Sequence, residues 1–213
     1  MLKFGSLMQQ SIDMATEDLA RAIAYLCDHE SELDINPYRI VLAGCSAGAI
    51  VALQLGYYVS NSMLNQVTRE LPKINRVPLR PAAIAAYSGA VLCDNRGIHH
   101  EDPIPTMLYH GLRDKIVRPG MTPCSFGRRL YGSMRLYDEF KRHEEGTFRN
   151  MIFPEAYHEV SLLLPKSVEQ FCAFVDDAFA GKDGHSSGVL LRRTGLESVE
   201  WQRNIFEVLR SSQ

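Results

Sequence analysis

The sequence predicts an α/β fold: a mostly parallel sheet with helices on both faces. Short apolar runs of strand length alternate with longer segments whose apolar residues recur every three or four positions. The strand runs are apolar throughout rather than alternately polar, which is typical of parallel strands buried on both faces. Proline and glycine separate most of these segments, as expected where strands and helices end.

The first half of the chain supplies a helix, a strand and a second helix. An amphipathic pattern predicts a helix over residues 8–30, and the apolar run 39–43, which follows a turn at Pro37, predicts a buried strand. A helix is predicted over 46–58. Residues 59–81 are polar and contain three prolines, so we expect a connection with one short helix near 63–71.

The second half repeats the alternation. Apolar runs predict strands over 82–87, 105–110 and 147–153, and a helical pattern with Leu130, Met134, Tyr137 and Phe140 on one side covers 126–143. A last helix is predicted over 166–180. Residues 1–180 should therefore form one domain, followed by a Gly/Ser-rich linker over 181–188 and an amphipathic helix over 196–209.

Composition narrows the class of partner. The 23 basic and 25 acidic residues give a formal charge of −2, so the charge gives no reason to expect nucleic acid, and a small-molecule ligand fits better. No run approaches the roughly 18 apolar residues of a membrane span, which predicts a cytoplasmic protein unless a signal-bearing extension precedes the sequence. The five cysteines lack any CxxC pair and are interpreted as free, buried thiols.

The strongest chemical signal is the GxSxG sequence from Gly44 to Gly48, between the strand at 39–43 and the helix that follows. This tight turn presents a serine above the sheet in a strained conformation, which makes Ser46 the predicted nucleophile. Gly44 and Gly48 are expected to keep bulk away from the turn. The helix points its first amides at the same place, so the Ala47 N–H is the predicted oxyanion donor.

A serine nucleophile needs a base and an acid to orient that base. Asp114, just past the strand at 105–110, and His158, just past the strand at 147–153, follow Ser46 in the chain order serine, acid, histidine. The competing carboxylates precede the strand at 105–110, in a polar connection where a solvated role is favoured; they are Asp94, Glu101 and Asp102.

Three further residues should lie near this site. Cys45 and Ser88 are possible pocket-lining residues, although a turn serine that only caps a strand end is the favoured interpretation of Ser88. His110 ends the strand that leads to Asp114. It could line the pocket or hold the acid loop by a hydrogen bond, and a structural role is favoured over catalysis.

These motifs resemble the carboxylesterase/lipase branch of the α/β-hydrolase superfamily. The resemblance is carried by Gly44–Ala49 with the preceding helix at 11–19, by the His110-Gly111-x-x-Asp114-x-x-Val117 segment, and by Tyr157-His158, and it runs from about residue 8 to residue 180. It implies hydrolysis of a carboxylic ester through an acyl-enzyme, with no metal or organic cofactor. The alternatives are a peptidase or a thioesterase with the same strand-turn-helix around the serine, which we call the elbow, or a related binding domain that has lost catalysis.

The sequence departs from that family before residue 8. The helix at 8–30 resembles the one that precedes the elbow strand, so about half of the usual sheet is missing, and no His-Gly-Gly segment supplies the second oxyanion N–H. Loss of one donor typically costs about 2.7–4 kcal/mol in the transition state, which predicts weak activity. Either the start is internal, which we favour, or an exposed sheet edge pairs with another chain, as in a homodimer.

Overall fold

A computed structural model describes the backbone of residues 2–58, 79–94, 97–98, 104–124, 127–142, 147–163, 167–182 and 184–189. The larger of its two sheets has five strands in the order β1-β2-β4-β7-β8, and every neighbouring pair is parallel. Its strands are β1 (Val41–Cys45), β2 (Ala83–Tyr87), β4 (Thr106–Gly111), β7 (Thr147–Phe153) and β8 (Gly184–Val189). The predicted parallel sheet is therefore confirmed.

A smaller antiparallel sheet, which the sequence pattern did not predict, lies beside the first. It has three strands in the order β3-β6-β5, which are β3 (Ala90–Cys93), β5 (Met121–Pro123) and β6 (Arg129–Gly132). Gln54 holds β3 in place, because its side-chain amide donates to the Leu92 carbonyl at 3.0 Å and accepts from the Leu92 N–H at 2.9 Å. The buried glutamine side chain thus pairs with both backbone groups of Leu92, as a neighbouring strand would.

Helices cover both faces of the main sheet, as predicted. The long helix α1 (Leu2–Asp28) is followed by the short α2 (Glu30–Leu33), and α3 (Ala47–Tyr57), α4 (Ser133–Phe140) and α5 (Val168–Phe179) come later in the chain. Side chains of α1, α3 and α4 share one apolar core with one face of the sheet. Phe174 of α5 belongs to the core on the opposite face, together with Tyr87 and Tyr109 of the strands.

The predicted helix over 126–143 is wrong in its first part. Residues 129–132 form β6 instead, and the helix begins only at Ser133. Leu130 and Met134 have the spacing of one helical face, yet Leu130 pairs with Leu92 of β3, and Met134 is 41 % exposed. The spacing of apolar residues cannot show that a distant strand offers a pairing edge, so the helical interpretation extended too far.

The predicted linker over 181–188 is wrong as well. Residues 184–189 form β8, whose register with β7 runs from Thr147↔Gly184 to Ile152↔Val189. Small and polar residues gave no apolar run, but an edge strand gains its backbone hydrogen bonds from the neighbouring strand whatever its side chains are. The helices predicted near 63–71 and 196–209 lie outside the described residues.

Two other sequence-based expectations concern the burial of the cysteines and the presence of a membrane span. All five cysteines are free, but only Cys27 and Cys93 are buried, while Cys172 is exposed, so the prediction that all five are buried is wrong. In the part of the chain that the structure describes, no helix combines the length and the hydropathy that crossing a bilayer would require.

Candidate active site

The turn from β1 into α3 places Ser46 at the carboxyl end of the main sheet. Ser46 has φ 52° and ψ −118°, a combination that L-residues rarely adopt and that costs on the order of 1–3 kcal/mol. The turn is closed by a contact between glycines: a Cβ on Gly44 would lie 2.4 Å from the Gly48 carbonyl oxygen. Gly44 must therefore lack a side chain. Gly48 has open space at its Cβ position, so the same expectation for Gly48 is not supported.

This difference predicts opposite effects for two alanine substitutions. Gly44→Ala should destabilise the protein by about 1–3 kcal/mol, since the new methyl group meets backbone atoms that cannot move cheaply. Gly48→Ala should be neutral or stabilising by up to about 1 kcal/mol, because a helical glycine is replaced without a clash. Thermal unfolding of the two variants checks this, and equal losses in Tm would contradict the geometry of the turn.

The backbone amides around Ser46 have different roles: some hold the turn and the helix together, and others precede the helical hydrogen bonds. The Ser46 N–H donates to the Tyr87 carbonyl at 2.9 Å, which ties the turn to β2. The first helical bond of α3 runs from the Ile50 N–H to the Ser46 carbonyl, so the amides of residues 47–49 precede the helical ladder. Ala47, the predicted oxyanion donor, is the first of these.

Asp114 is held by its own loop after β4. Its Oδ1 accepts from the Ile116 and Val117 amides, each at 2.9 Å, and the side chain is fully buried. An aspartate that accepts from the amides two and three residues later forms its turn locally, so residues 114–117 by themselves already orient one carboxylate oxygen. Its second oxygen remains available for another partner.

The loop that carries His158 is joined to the acid loop by backbone hydrogen bonds. Leu112 N–H donates to the Phe153 carbonyl and Arg113 N–H donates to the Ala156 carbonyl, both at 2.9 Å. The chain then enters a 3-10 helix at His158–Leu162. These bonds involve only main-chain atoms, so they join the two loops without the help of flexible side chains.

The three predicted side chains are brought together by the fold. Ser46 Oγ lies 2.7 Å from His158 Nε2, and His158 Nδ1 lies 2.7 Å from Asp114 Oδ2. An ionised carboxylate can only accept, so the ring proton is on Nδ1 and Nε2 is left to accept from the serine hydroxyl. The two bonds form a continuous chain from hydroxyl to carboxylate.

Asp114 stays ionised in this arrangement. Burial alone would raise its pKa, but hydrogen bonds from His110 and His158 outweigh burial and lower the pKa to about 2. The carboxylate is therefore negative at every pH at which the protein would normally be studied. It can stabilise positive charge on the His158 ring without taking a proton itself.

The remaining predicted residues have separate positions. Cys45 is partly exposed next to the serine. Ser88 and His110 have no exposed surface at all, so neither borders solvent as a pocket-lining residue would. His110 Nε2 donates to the Val117 carbonyl at 2.7 Å, which agrees with the alternative that it holds the acid loop. Of the residues with competing carboxylates, Asp94 forms a main-chain bridge with Gly97, whose N–H donates to the Asp94 backbone carbonyl at 3.2 Å. Residues 101 and 102 lie outside the described residues.

Sequence reasoning missed two supports of the site. The amides of Ile116 and Val117 position the acid, and an aspartate followed by an apolar pair in a turn could have suggested them. Glu159 is buried next to the histidine, and its carboxylate accepts from the Tyr157 N–H at 2.9 Å, which stabilises the start of the 3-10 helix. A single acidic residue after a histidine gives no sequence signal for that role.

Comparisons with known proteins agree with this architecture. The BD-FAE family model, an esterase-associated α/β-hydrolase domain, matches residues 3–91, which is less than half of the chain and includes Ser46 but neither Asp114 nor His158. No curated protein matches the chain in sequence.

Solved structures match over a longer stretch. Apo esterase 2 of Thermogutta terrifontis matches with a TM-score of 0.54 and 17% sequence identity, and the match covers 82% of this chain and 68% of that one. The butyrate-bound form of the same esterase matches with a TM-score of 0.53 and 16% identity, covering 80% of this chain and 67% of that one. An acetyl ester-xyloside bifunctional hydrolase from Caldicellulosiruptor lactoaceticus matches with a TM-score of 0.52 and 19% identity, covering 79% of this chain and 66% of that one. This chain thus spans about two thirds of their length, and the predicted α/β-hydrolase fold is confirmed.

Proposed function

We propose, on the premise that this chain has the α/β-hydrolase fold, that it is a serine hydrolase that cleaves a carboxylic ester through an acyl-enzyme. The observation that carries the proposal is the chain of two 2.7 Å hydrogen bonds from Ser46 through His158 to Asp114. Three residues far apart in sequence converge in the order that nucleophilic catalysis requires. Structural neighbours that are esterases support the same reaction class.

In the proposed reaction, His158 Nε2 takes the hydroxyl proton while Ser46 Oγ forms a bond to the ester carbonyl carbon. The carbonyl oxygen becomes an oxyanion, which the Ala47 N–H stabilises. When the tetrahedral intermediate collapses, His158 returns the proton to the departing alkoxide, leaving an acyl-serine and an alcohol. Water then adds with His158 as the base, and the acid is released as Ser46 regains its proton.

The surroundings of the proposed triad favour an apolar ester. Large apolar side chains are exposed on both loops that carry the acid and the histidine: Leu112 and Ile116 on the first, and Tyr157 on the second, with exposures of 47%, 45% and 39%. Exposed apolar side chains on loops that carry reactive groups are typical of surfaces that bind an apolar ligand. An ester with an apolar acyl group suits them.

The proposal is tested by covalent labelling. A fluorophosphonate probe should attach to Ser46, since the probe reacts with a serine only when a neighbouring base has activated the hydroxyl. Intact-mass measurement should show one adduct, and peptide mapping should place it on the elbow peptide. Ser46→Ala should remove both the adduct and the turnover of p-nitrophenyl acetate.

Ser11→Ala is the matched control, because Ser11 is exposed on α1 and its hydroxyl donates to the Leu7 carbonyl within the same helix. It should label and turn over like the original protein. Absence of any adduct together with ester turnover that is unchanged in Ser46→Ala would refute the proposal. A panel of an acetyl ester, an aminoacyl amide and an acyl thioester, compared by kcat/KM, distinguishes an esterase from a peptidase or a thioesterase.

A further inference from the structure

Three buried polar atoms near the acid loop take no part in the reaction described above. They are Nδ1 of His110, Oδ1 of Asn150 and Oγ of Ser133, all on buried residues. None of the three has a hydrogen-bond partner among the described residues. Buried polar atoms are normally paired, because an unpaired one loses its hydration without compensation, so three such atoms require an explanation.

The sheet places His110 and Asn150 on the same face of neighbouring strands. Asn150 of β7 pairs with Leu108 of β4, and His110, two residues later in β4, pairs with Ile152. Leu108 and Phe148 both belong to the apolar core that includes α4, and residues two apart in a strand share a face, so His110 and Asn150 share that face as well. Strands about 4.8 Å apart that rise about 3.3 Å per residue put the two Cα atoms about 8 Å apart.

The first residue of α4 lies over the same stretch of the sheet. Phe140, which ends α4, stacks on Phe148 of β7 with ring centroids 4.7 Å apart, and Ser133 begins the helix about 10 Å away along its axis. A backbone N–H of the first turn donates to the Pro119 carbonyl, in the segment that follows the acid loop, so this end of α4 lies towards the carboxyl ends of the strands. A length of about 10 Å is about three residues of a strand, so Ser133 is level with the two side chains on the sheet.

The donors and acceptors of these three side chains do not balance. His110 Nε2 lies 2.7 Å from the Val117 carbonyl oxygen, which can only accept, so in the neutral ring Nε2 carries the proton and Nδ1 is an acceptor. Asn150 Oδ1 is an acceptor too, and the single proton of the Ser133 hydroxyl can serve only one of them. A water molecule supplies two donors and accepts a bond from a hydroxyl, which matches this set of atoms.

We propose that one water molecule binds between α4 and the sheet, where it donates to His110 Nδ1 and Asn150 Oδ1 and accepts from the Ser133 hydroxyl. Three hydrogen bonds are typical of a buried water. The water keeps the His110 proton on Nε2, which donates to the Val117 carbonyl and lies 3.5 Å from Asp114 Oδ2. Asn150 and Ser133 are thereby positioning residues for Asp114, and this role rests on the proposed function.

The water site is tested directly by a high-resolution crystal structure of the unmodified protein. The electron density should contain one ordered water about 2.7–3.2 Å from each of the three polar atoms. Direct hydrogen bonds among the three side chains, or density without a water between them, would overturn the site.

The bond to the ring is tested by nuclear magnetic resonance of protein labelled with 15N-histidine. Nε2 of His110 should carry the proton, and Asn150→Leu, which replaces an acceptor by an apolar side chain of similar shape, should move the Nδ1 resonance towards that of an unpaired nitrogen. Thr16→Val is the matched control, because Thr16 is also buried and its hydroxyl donates to the Ile12 carbonyl within α1. A His110 ring with protons on both nitrogens, or an Nδ1 resonance that Asn150→Leu leaves unchanged, would overturn the proposal.

The positioning role is tested by kinetics. Asn150→Leu and Ser133→Ala should each lower kcat by about three- to tenfold at unchanged KM, the range expected for one net hydrogen bond, and Thr16→Val should not. Since both side chains act through the same water, the double variant should lose about as much activity as one single variant. Losses that multiply in the double variant would overturn the shared water.

Two further outcomes separate the possible failures. Ser133→Ala removes only one buried oxygen atom, so it serves in both measurements if Asn150→Leu does not fold. The crystal structure and the resonance measurement need no turnover. A protein that holds the water but hydrolyses no ester would therefore refute the proposed function and retain the site, whereas a normal kcat in an active Ser133→Ala variant would refute the positioning role.

Discussion

Asp114→Asn is expected to lower kcat for an ester substrate by about 10⁴-fold with little change in KM. The carboxylate makes two kinds of contact: Oδ1 accepts from the Ile116 and Val117 amides, and Oδ2 accepts from His158 Nδ1. In an asparagine, the single amide oxygen satisfies the two backbone donors, which turns the NH2 group towards the ring. His158 Nδ1 must then accept, its proton moves to Nε2, and the ring can no longer take the serine proton.

The matched control is Glu155→Gln. It makes the same carboxylate-to-amide change near the same loops, but the Glu155 side chain is 67% exposed and its partner is the exposed Arg113. An exposed ion pair contributes about 0–1 kcal/mol, so kcat should stay within a few-fold of the original. Steady-state kinetics on p-nitrophenyl acetate compares the two variants. A fall of less than tenfold in Asp114→Asn would remove Asp114 from the role of acid.

Asp114→Asn should also change how stability depends on pH. The pKa of Asp114 is about 2 in the folded protein, below the value of about 3.9 in an unfolded chain, so its ionised form stabilises the fold above pH 4. That contribution, about 2 kcal/mol, is lost as the pH falls towards 2. The difference in unfolding free energy between the original and the variant should therefore be largest near neutral pH and should shrink between pH 4 and pH 2.

The features that sequence reasoning predicted are those that short segments determine. A strand, a small-residue turn with a central serine and an apolar helix lie within residues 39–58, so the elbow could be predicted from its own composition. The acid and the histidine followed from chain order, because the carboxyl ends of parallel strands meet at one edge of a sheet. In both cases local pattern and overall architecture agree.

The features that escaped prediction depend on distant partners. Leu130 has the helical spacing from the apolar residues that follow it, but it pairs with Leu92 of β3, and no residue near Leu130 in the sequence indicates that pairing. Residues 184–189 join the sheet because β7 offers an unpaired edge, not because they are apolar. The burial of His110 likewise follows from strand register, which composition does not encode.

Gly111→Ala is expected to lower kcat by about 10²-fold or more and to lower Tm. Gly111 ends β4 where the acid loop passes beneath the histidine loop, and a Cβ there would lie 2.1 Å from the Tyr157 carbonyl oxygen and 2.5 Å from that of Ala156. Both are backbone atoms, so the new methyl group must push the two loops apart. His158 directly follows Tyr157, and a displacement of about 1 Å in a catalytic group typically costs about 10²-fold in rate.

Gly120→Ala provides the comparison, since Gly120 lies further along the same connection and nothing is within 4 Å of its Cβ position. It should leave kcat and Tm close to those of the original protein. If both variants kept full activity, the Ser46–His158–Asp114 geometry would tolerate separation of its loops. Catalysis by a preorganised triad would then not account for turnover, because the distances of 2.7 Å that support the proposal depend on the contact that Gly111 permits.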